Sequence, residues 1–169
     1  IKALNKCDYI FLSSDIAITN FQKKIDIFSD NKSKKKKLLL VNTGYLKLDH
    51  VHKKISNVDV IEDSLLLAPT LSSMFINYNL SGSLIDLIKK ILDNTKFKLI
   101  YRPHPGDVGN HKQNIIINNI YKMFEKNKNF TLDINASYLE SYRKSKMLIT
   151  DFSGTAYTYA FSKLRPVIF

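Results

Sequence analysis

Short apolar runs alternate along this chain with longer segments whose apolar residues recur every three or four positions. The runs YIFL (9–12), KLLLVN (37–42), SLLLAPT (64–70), FKLIYR (97–102), NFTLDI (129–134), KMLIT (146–150) and PVIF (166–169) predict short strands. The intervening periodicity predicts helices over 15–28, 47–55, 83–94, 110–126, 138–144 and 154–162. In the third of these, Leu84, Leu87, Ile88, Ile91 and Leu92 form a stripe able to cover a sheet face, with its lysines outward. Strand and helix in alternation predict an α/β fold with a mainly parallel sheet flanked by helices. The expected organisation is one domain over 1–169, with 1–36 open to assignment as an interdomain or partner-domain segment.

Composition agrees with a packed domain: 44% of residues are hydrophobic and 24% charged. The net charge of +11 makes anionic partners plausible, but 23 of the 26 basic residues are lysines. Arginines, which fork around bases and phosphates, number three (Arg102, Arg143 and Arg165), so no nucleic-acid partner is expected. A single cysteine, Cys7, excludes an internal disulfide framework and fits a reducing compartment. No apolar stretch reaches the roughly 18 residues of a membrane span. The expected location is the cytoplasm, with peripheral attachment at the inner membrane face open through the basic residues. The sequence begins at Ile1 and ends on the apolar run RPVIF, and it is read as part of a longer protein.

Two stretches carry candidate chemistry. In YRPHPGD (101–107), each residue before a proline is pushed out of the α region. Arg102 and His104 are thereby held extended and, two apart, are expected on the same side. Gly106 allows a tight turn and Asn110 is suited to cap the next helix. Both cations then stand at the carboxyl end of a strand, where open parallel sheets bind ligands. An arginine fork and a histidine donor there suit a disubstituted phosphate. The alternative is an ordinary loop, its histidine bound to backbone and its arginine paired with Asp107.

The second stretch, MLITDFSGTAYTYAF (147–161), reads as a strand, an acidic residue at its end, and Ser153, Gly154 and Thr155 opening a helix. The first N–H groups of a helix, with its dipole behind them, form an anion site; simple capping by Ser153 is the plainer reading. Asp151 would repel a phosphate, and it is expected to hold a backbone N–H, a ligand hydroxyl or an imidazolium such as that of His104. Tyr157 and Tyr159 are expected in the core.

Other signals carry less. His50 and His52 are two apart and do not share a helix face, and no spacing typical of metal ligands occurs, so neither metal nor cofactor is expected. His111 is expected in solvent. Glu62 and Asp63 precede a strand, at the edge opposite the expected ligand. GxGxxG and Walker sequences do not occur.

NTGYLKLD (42–49), LLLAPT (65–70), LIYRPHPGD (99–107) and MLITDFSGTAYTYAFSKLRPVIF (147–169) stand in an order and spacing that resembles the CDP-glycerol glycerophosphotransferase family of teichoic-acid and capsule polymerases. The resemblance covers most of the chain. It implies the Rossmann-like C-terminal, donor-binding half of a GT-B architecture, with the N-terminal half as a missing partner. It further implies a CDP-linked donor and an acceptor that is a polyol phosphate or polysaccharide, lipid-linked in some cases. His104 and Arg102 would be catalytic and would bind the donor phosphates together with Asp151, Ser153, Gly154 and Thr155; Gly44, Tyr45 and Asp49 would lie near the interdomain cleft. The family's activating His-Gly segment has no counterpart here, so the chain alone is expected to bind donor without turnover. Phe152 and Gly154 replace the usual tyrosine and second serine, which leaves the transferred group open. Alternatives are a GT-B glycosyltransferase or nucleotide-sugar epimerase using a UDP- or CDP-sugar, and a non-catalytic domain that binds anionic polymers.

Overall fold

The computed structural model describes residues 7–28, 38–55, 63–72 and 80–169. Glu62 lies outside them. The chain divides into two units, Ile1–His50 and Val51–Phe169.

In the first unit, strands β1 (Tyr9–Leu12) and β2 (Leu39–Asn42) pair in parallel, with Tyr9 opposite Leu39, and helix α1 (Asp15–Phe28) connects them. Ser14 caps α1 by accepting from the Ala17 N–H at 3.1 Å. After β2 the chain turns on Gly44, whose φ of 67° suits glycine and whose N–H donates to Asn42 Oδ1 at 3.1 Å. Asn42 Nδ2 donates to Asp15 Oδ1, so one side chain ties this turn to the start of α1. Helix α2 (Leu46–Ile55) begins here.

The second unit is a five-stranded parallel sheet, in the order β5 (Phe130–Leu132), β4 (Lys98–Tyr101), β3 (Ser64–Leu67), β6 (Ser145–Ile149), β7 (Val167–Ile168). Its helices are α3 (Leu80–Asn94), α4 (Pro105–Val108), α5 (His111–Phe124), α6 (Leu139–Lys144) and α7 (Gly154–Lys163). Strand alternation divides the core into two layers. Leu65, Leu67, Leu99 and Tyr101 face one way, onto Ile88 and Ile91 of α3 and Ile117 and Ile120 of α5. Leu66, Ile100 and Leu148 face the other way, onto Val51 and Ile55, Tyr142 of α6 and Tyr159 of α7. The predicted α/β fold with helices on a parallel sheet is the fold observed.

Differences from the expected elements have local causes. Helix α3 starts at Leu80, three residues before the expected start at Ser83. The stripe is buried at Ile88 and Ile91, but Leu87, at its margin, is 37% exposed. On α7 the buried face is Ala156, Tyr159 and Ser162, spaced by three; Tyr157 falls about 100° around the helix from that row and is exposed. Tyr159 meets the expectation: it is fully buried, donates to the Ser145 carbonyl at 2.9 Å and meets Tyr142 edge-on. No helix among the described residues is long and apolar enough to cross a membrane.

Leu66 joins the two halves of the sheet and is fully buried. Leu66→Ala should cost about 2–5 kcal/mol of unfolding free energy, read by chemical denaturation; a loss below about 1 kcal/mol would show that this layer is not well packed.

Candidate functional site

The chain builds β3, adds β4 and β5 on one side, then returns to add β6 and β7 on the other. The order therefore reverses between β3 and β6, and in such sheets the crevice beyond the carboxyl ends at the reversal is the ligand position. The loop 68–72 leaves β3 there and the loop 150–153 leaves β6. Hydrogen bonds join them: Ala68 N–H to the Ile149 carbonyl at 3.0 Å, Thr150 Oγ1 to the Ala68 carbonyl at 2.6 Å, and Thr70 N–H to Asp151 Oδ1 at 2.8 Å. Of the partners expected for Asp151, the backbone N–H is the one observed.

Beyond Asp151 the chain enters α7. Ser153 is extended, at φ −104° and ψ 138°, and its hydroxyl accepts from the Thr155 N–H at 3.2 Å. Capping by Ser153 therefore occurs, and the Ser153 carbonyl in turn accepts from the Ala156 N–H at 3.1 Å. Gly154, the first helical residue, is exposed, and a Cβ built on it would meet nothing within 4 Å. Its backbone has no positive φ. Neither packing nor conformation in this fold demands glycine at 154.

On the same edge, beyond β4, Arg102 and His104 have different surroundings. Arg102 is 7% exposed; its Nη1 donates to Asp133 Oδ2 at 2.6 Å and its Nη2 to the Asn135 carbonyl at 2.7 Å. The guanidinium thus turns to the loop after β5, with Asp133 rather than Asp107 as its ion-pair partner. Asp133 also accepts from the Ser141 hydroxyl, and from Asn135 through its N–H and Nδ2. Burial raises the Asp133 carboxyl, but bonds from Ser141, the Asn135 N–H and Arg102, with the Arg102 charge, carry it below the usual carboxylate range.

His104 is half-buried and caps α4: its Nδ1 accepts from the Gly106 N–H at 3.0 Å. An accepting Nδ1 bears no proton, so the neutral ring carries its hydrogen on Nε2. Histidine bound to backbone, one half of the plainer reading, is what occurs, and it orients Nε2–H as a donor. Asn110 caps α5 as expected.

Tyr142 links the two stretches. Its hydroxyl donates to the Thr155 carbonyl at 3.4 Å in the first turn of α7. Burial, and then Tyr138, raise its phenol, while the Arg102 charge is near enough to act in the opposite sense. Three residues escaped the sequence reading: Asp133, Tyr142 and Ser72. Only Asp133 had a local signal, a carboxylate at the carboxyl end of a predicted strand. Gly44, Tyr45 and Asp49 belong to the first unit; Tyr45 is 51% exposed and its carbonyl accepts from Leu48 N–H at 2.8 Å.

Because the Asp133 carboxyl is lowered on folding, its contribution is full above the unfolded value of about 3.9 and is lost as pH falls through the lower folded value. Asp133→Asn leaves Arg102 buried without a counter-charge and should cost about 3–5 kcal/mol at pH 7. In denaturation curves taken from pH 7 downward the gap to wild type should close below about pH 4; a pH-independent gap would assign the loss to packing.

No protein-family model matches the sequence, and no curated protein matches it. Solved structures do match. UDP-GlcNAc 2-epimerase from Methanocaldococcus jannaschii is similar over 95% of this chain and 45% of its own, at 17% identity and a TM-score of 0.59. The same enzyme in complex with UDP-GlcNAc and UDP matches over 95% and 44%, at 17% identity and a TM-score of 0.58. A variant of the wall teichoic acid polymerase TagF matches over 98% and 41%, at 18% identity and a TM-score of 0.50. The chain spans less than half the length of each. The likeness establishes the fold, an α/β domain with a mainly parallel sheet consistent with one half of a GT-B architecture.

Proposed function

We propose that this chain is the nucleotide-binding half of a GT-B-type enzyme acting on a sugar joined to a nucleoside diphosphate, as an epimerase or glycosyltransferase using a UDP- or CDP-sugar. The observation that carries the reading is Gly154: an exposed glycine that the fold does not require, at the first position of a helix on the switch-point crevice. A glycine with this freedom suits close approach of a ligand to backbone, and a helix start favours phosphate as that ligand. The better structural likeness, to an epimerase solved with UDP-GlcNAc and UDP, supports a nucleotide-linked sugar.

In this reading the diphosphate lies at Ser153, Gly154 and Thr155, and His104 directs Nε2–H at an oxygen of the leaving phosphate. The helix start and the imidazole stabilise charge that grows as the bond to the diphosphate breaks. Asp151 holds the crevice wall through Thr70. Arg102 acts from behind, fixing the loop beyond β5 through Asp133 and the Asn135 carbonyl. The acceptor and any base come from the rest of the protein, so closure of the two halves precedes chemistry.

A second reading is favoured by the order of the NTGYLKLD, RPHPGD and DFSGT stretches: transfer of glycerol phosphate, or a related polyol phosphate, from a CDP-linked donor to a teichoic-acid-like or other surface polymer. The same grip would serve, but the broken bond joins phosphorus to oxygen and CMP leaves, whereas sugar chemistry releases a nucleoside diphosphate. Analysis of the released nucleotide separates the two.

Titration calorimetry with UDP, CDP and ADP should show binding of UDP or CDP. Gly154→Ala should leave stability unchanged or raise it by about 0.4–1 kcal/mol while weakening that nucleotide at least about tenfold, the effect of one lost charge-assisted contact. In the full-length protein, His104→Ala should chiefly lower turnover, by about 100-fold for a lost proton donor. Nucleotide affinity equal to wild type in Gly154→Ala would sink the reading.

A further inference from the structure

Loop 68–72, which walls the crevice on the β3 side, is held from two directions. From the β6 side, Asp151 Oδ1 takes the Thr70 N–H at 2.8 Å. From the β4 side, Asp107 takes both donors of Ser72: the N–H at 3.1 Å through Oδ2 and the hydroxyl at 2.6 Å through Oδ1. Between these points Leu71 lies against Gly106, where an added Cβ would come within 2.7 Å of Leu71 Cδ1. Asp107 is 7% exposed, so its charge is largely withdrawn from water, a cost that hydrogen bonds must offset.

We propose that Asp107 is a positioning residue for the donor site: with Asp151 it clamps loop 68–72 between the strands on either side of β3, and so sets the crevice wall against which the diphosphate rests. This rests on the reading of the crevice as a nucleotide site. A carboxylate accepts and cannot donate. Asp107 therefore requires both Ser72 donors to point at it, which fixes the orientation of that peptide plane. An asparagine presents one oxygen and two N–H groups, and it cannot take both donors in the same way. The end of the RPHPGD stretch then has a purpose distinct from its cations. Gly106 admits Leu71, and Asp107 grips the next residue.

A purely structural role would lower affinity only as far as it lowered stability. Asp107→Asn should weaken UDP or CDP binding about tenfold, as for one hydrogen bond to a charged group, and Ser72→Ala about threefold. The double variant should lose no more than Asp107→Asn alone, because both substitutions remove one shared interaction. Amide hydrogen exchange at Ser72 should quicken in Asp107→Asn while that at Thr70, held by Asp151, stays protected. Should Asp107→Asn fold poorly, Ser72→Ala retains the backbone bond and carries the affinity test. Wild-type affinity in both single variants, or losses that add in the double variant, would overturn the clamp alone. Failure of the wild-type protein to bind UDP or CDP would overturn the nucleotide reading, and the proposed role of Asp107 with it.

Discussion

Four consecutive buried residues, Ser64–Leu67, govern the second unit. Strand β3 is paired on both edges and covered on both faces, so none of its backbone or side chains is left for a ligand. What it can offer is its carboxyl end, where the chain must leave the sheet. Because β4 lies on one side and β6 on the other, the loop emerging there is flanked by the loops of both neighbours. Open parallel sheets that bind ligands bind them at this point, whatever the side chains. The side chains then decide its chemistry.

That chemistry is arranged in two tiers. Asp107, Asp151 and Asp133 spend their carboxylates on protein donors: Ser72, Thr70, and Arg102 with Ser141. These bonds fix the carboxylates in place as parts of the loops rather than as ligands. The groups suited to meet an anion are the start of α7 and the Nε2–H of His104. Arg102, the strongest cation in the stretch, stands behind with Asp133. A buried pair of this kind contributes little net stability, since desolvation opposes attraction, but it holds the loop after β5 in one geometry.

The alternation of apolar runs is enough to read the strands, because each is short, apolar and flanked by turn residues; β1 and α1 are legible to the residue. Caps at Asn110 and Ser153 were legible too, since they depend on neighbours two or three residues away. What could not be read was pairing across the sheet. Asp133 is 31 residues from Arg102, and Ser72 is 35 from Asp107. Local spacing placed Arg102 and His104 together as a phosphate pair, but long-range partners give them different surroundings. Tyr157 was misjudged for a simpler reason: at the start of a helix, one residue of phase separates core from solvent.

The two motif glycines show how a fold divides structural from functional constraint. Gly106 is confined: Leu71 and the His104 ring both stand within 3.1 Å of where a Cβ would be. Among the described residues, nothing stands within 4 Å of where a Cβ on Gly154 would be. In sequence the two look alike, each following a polar or proline-bearing segment at a strand end. The packing that excludes a methyl group from Gly106 explains that residue entirely, whereas nothing within the second unit explains Gly154. A residue type that costs backbone entropy, at a position where the described residues leave room for a side chain, is the observation on which the proposed nucleotide site rests. The proposed site places a phosphate there because a helix start offers backbone N–H groups and the positive end of a dipole to an anion.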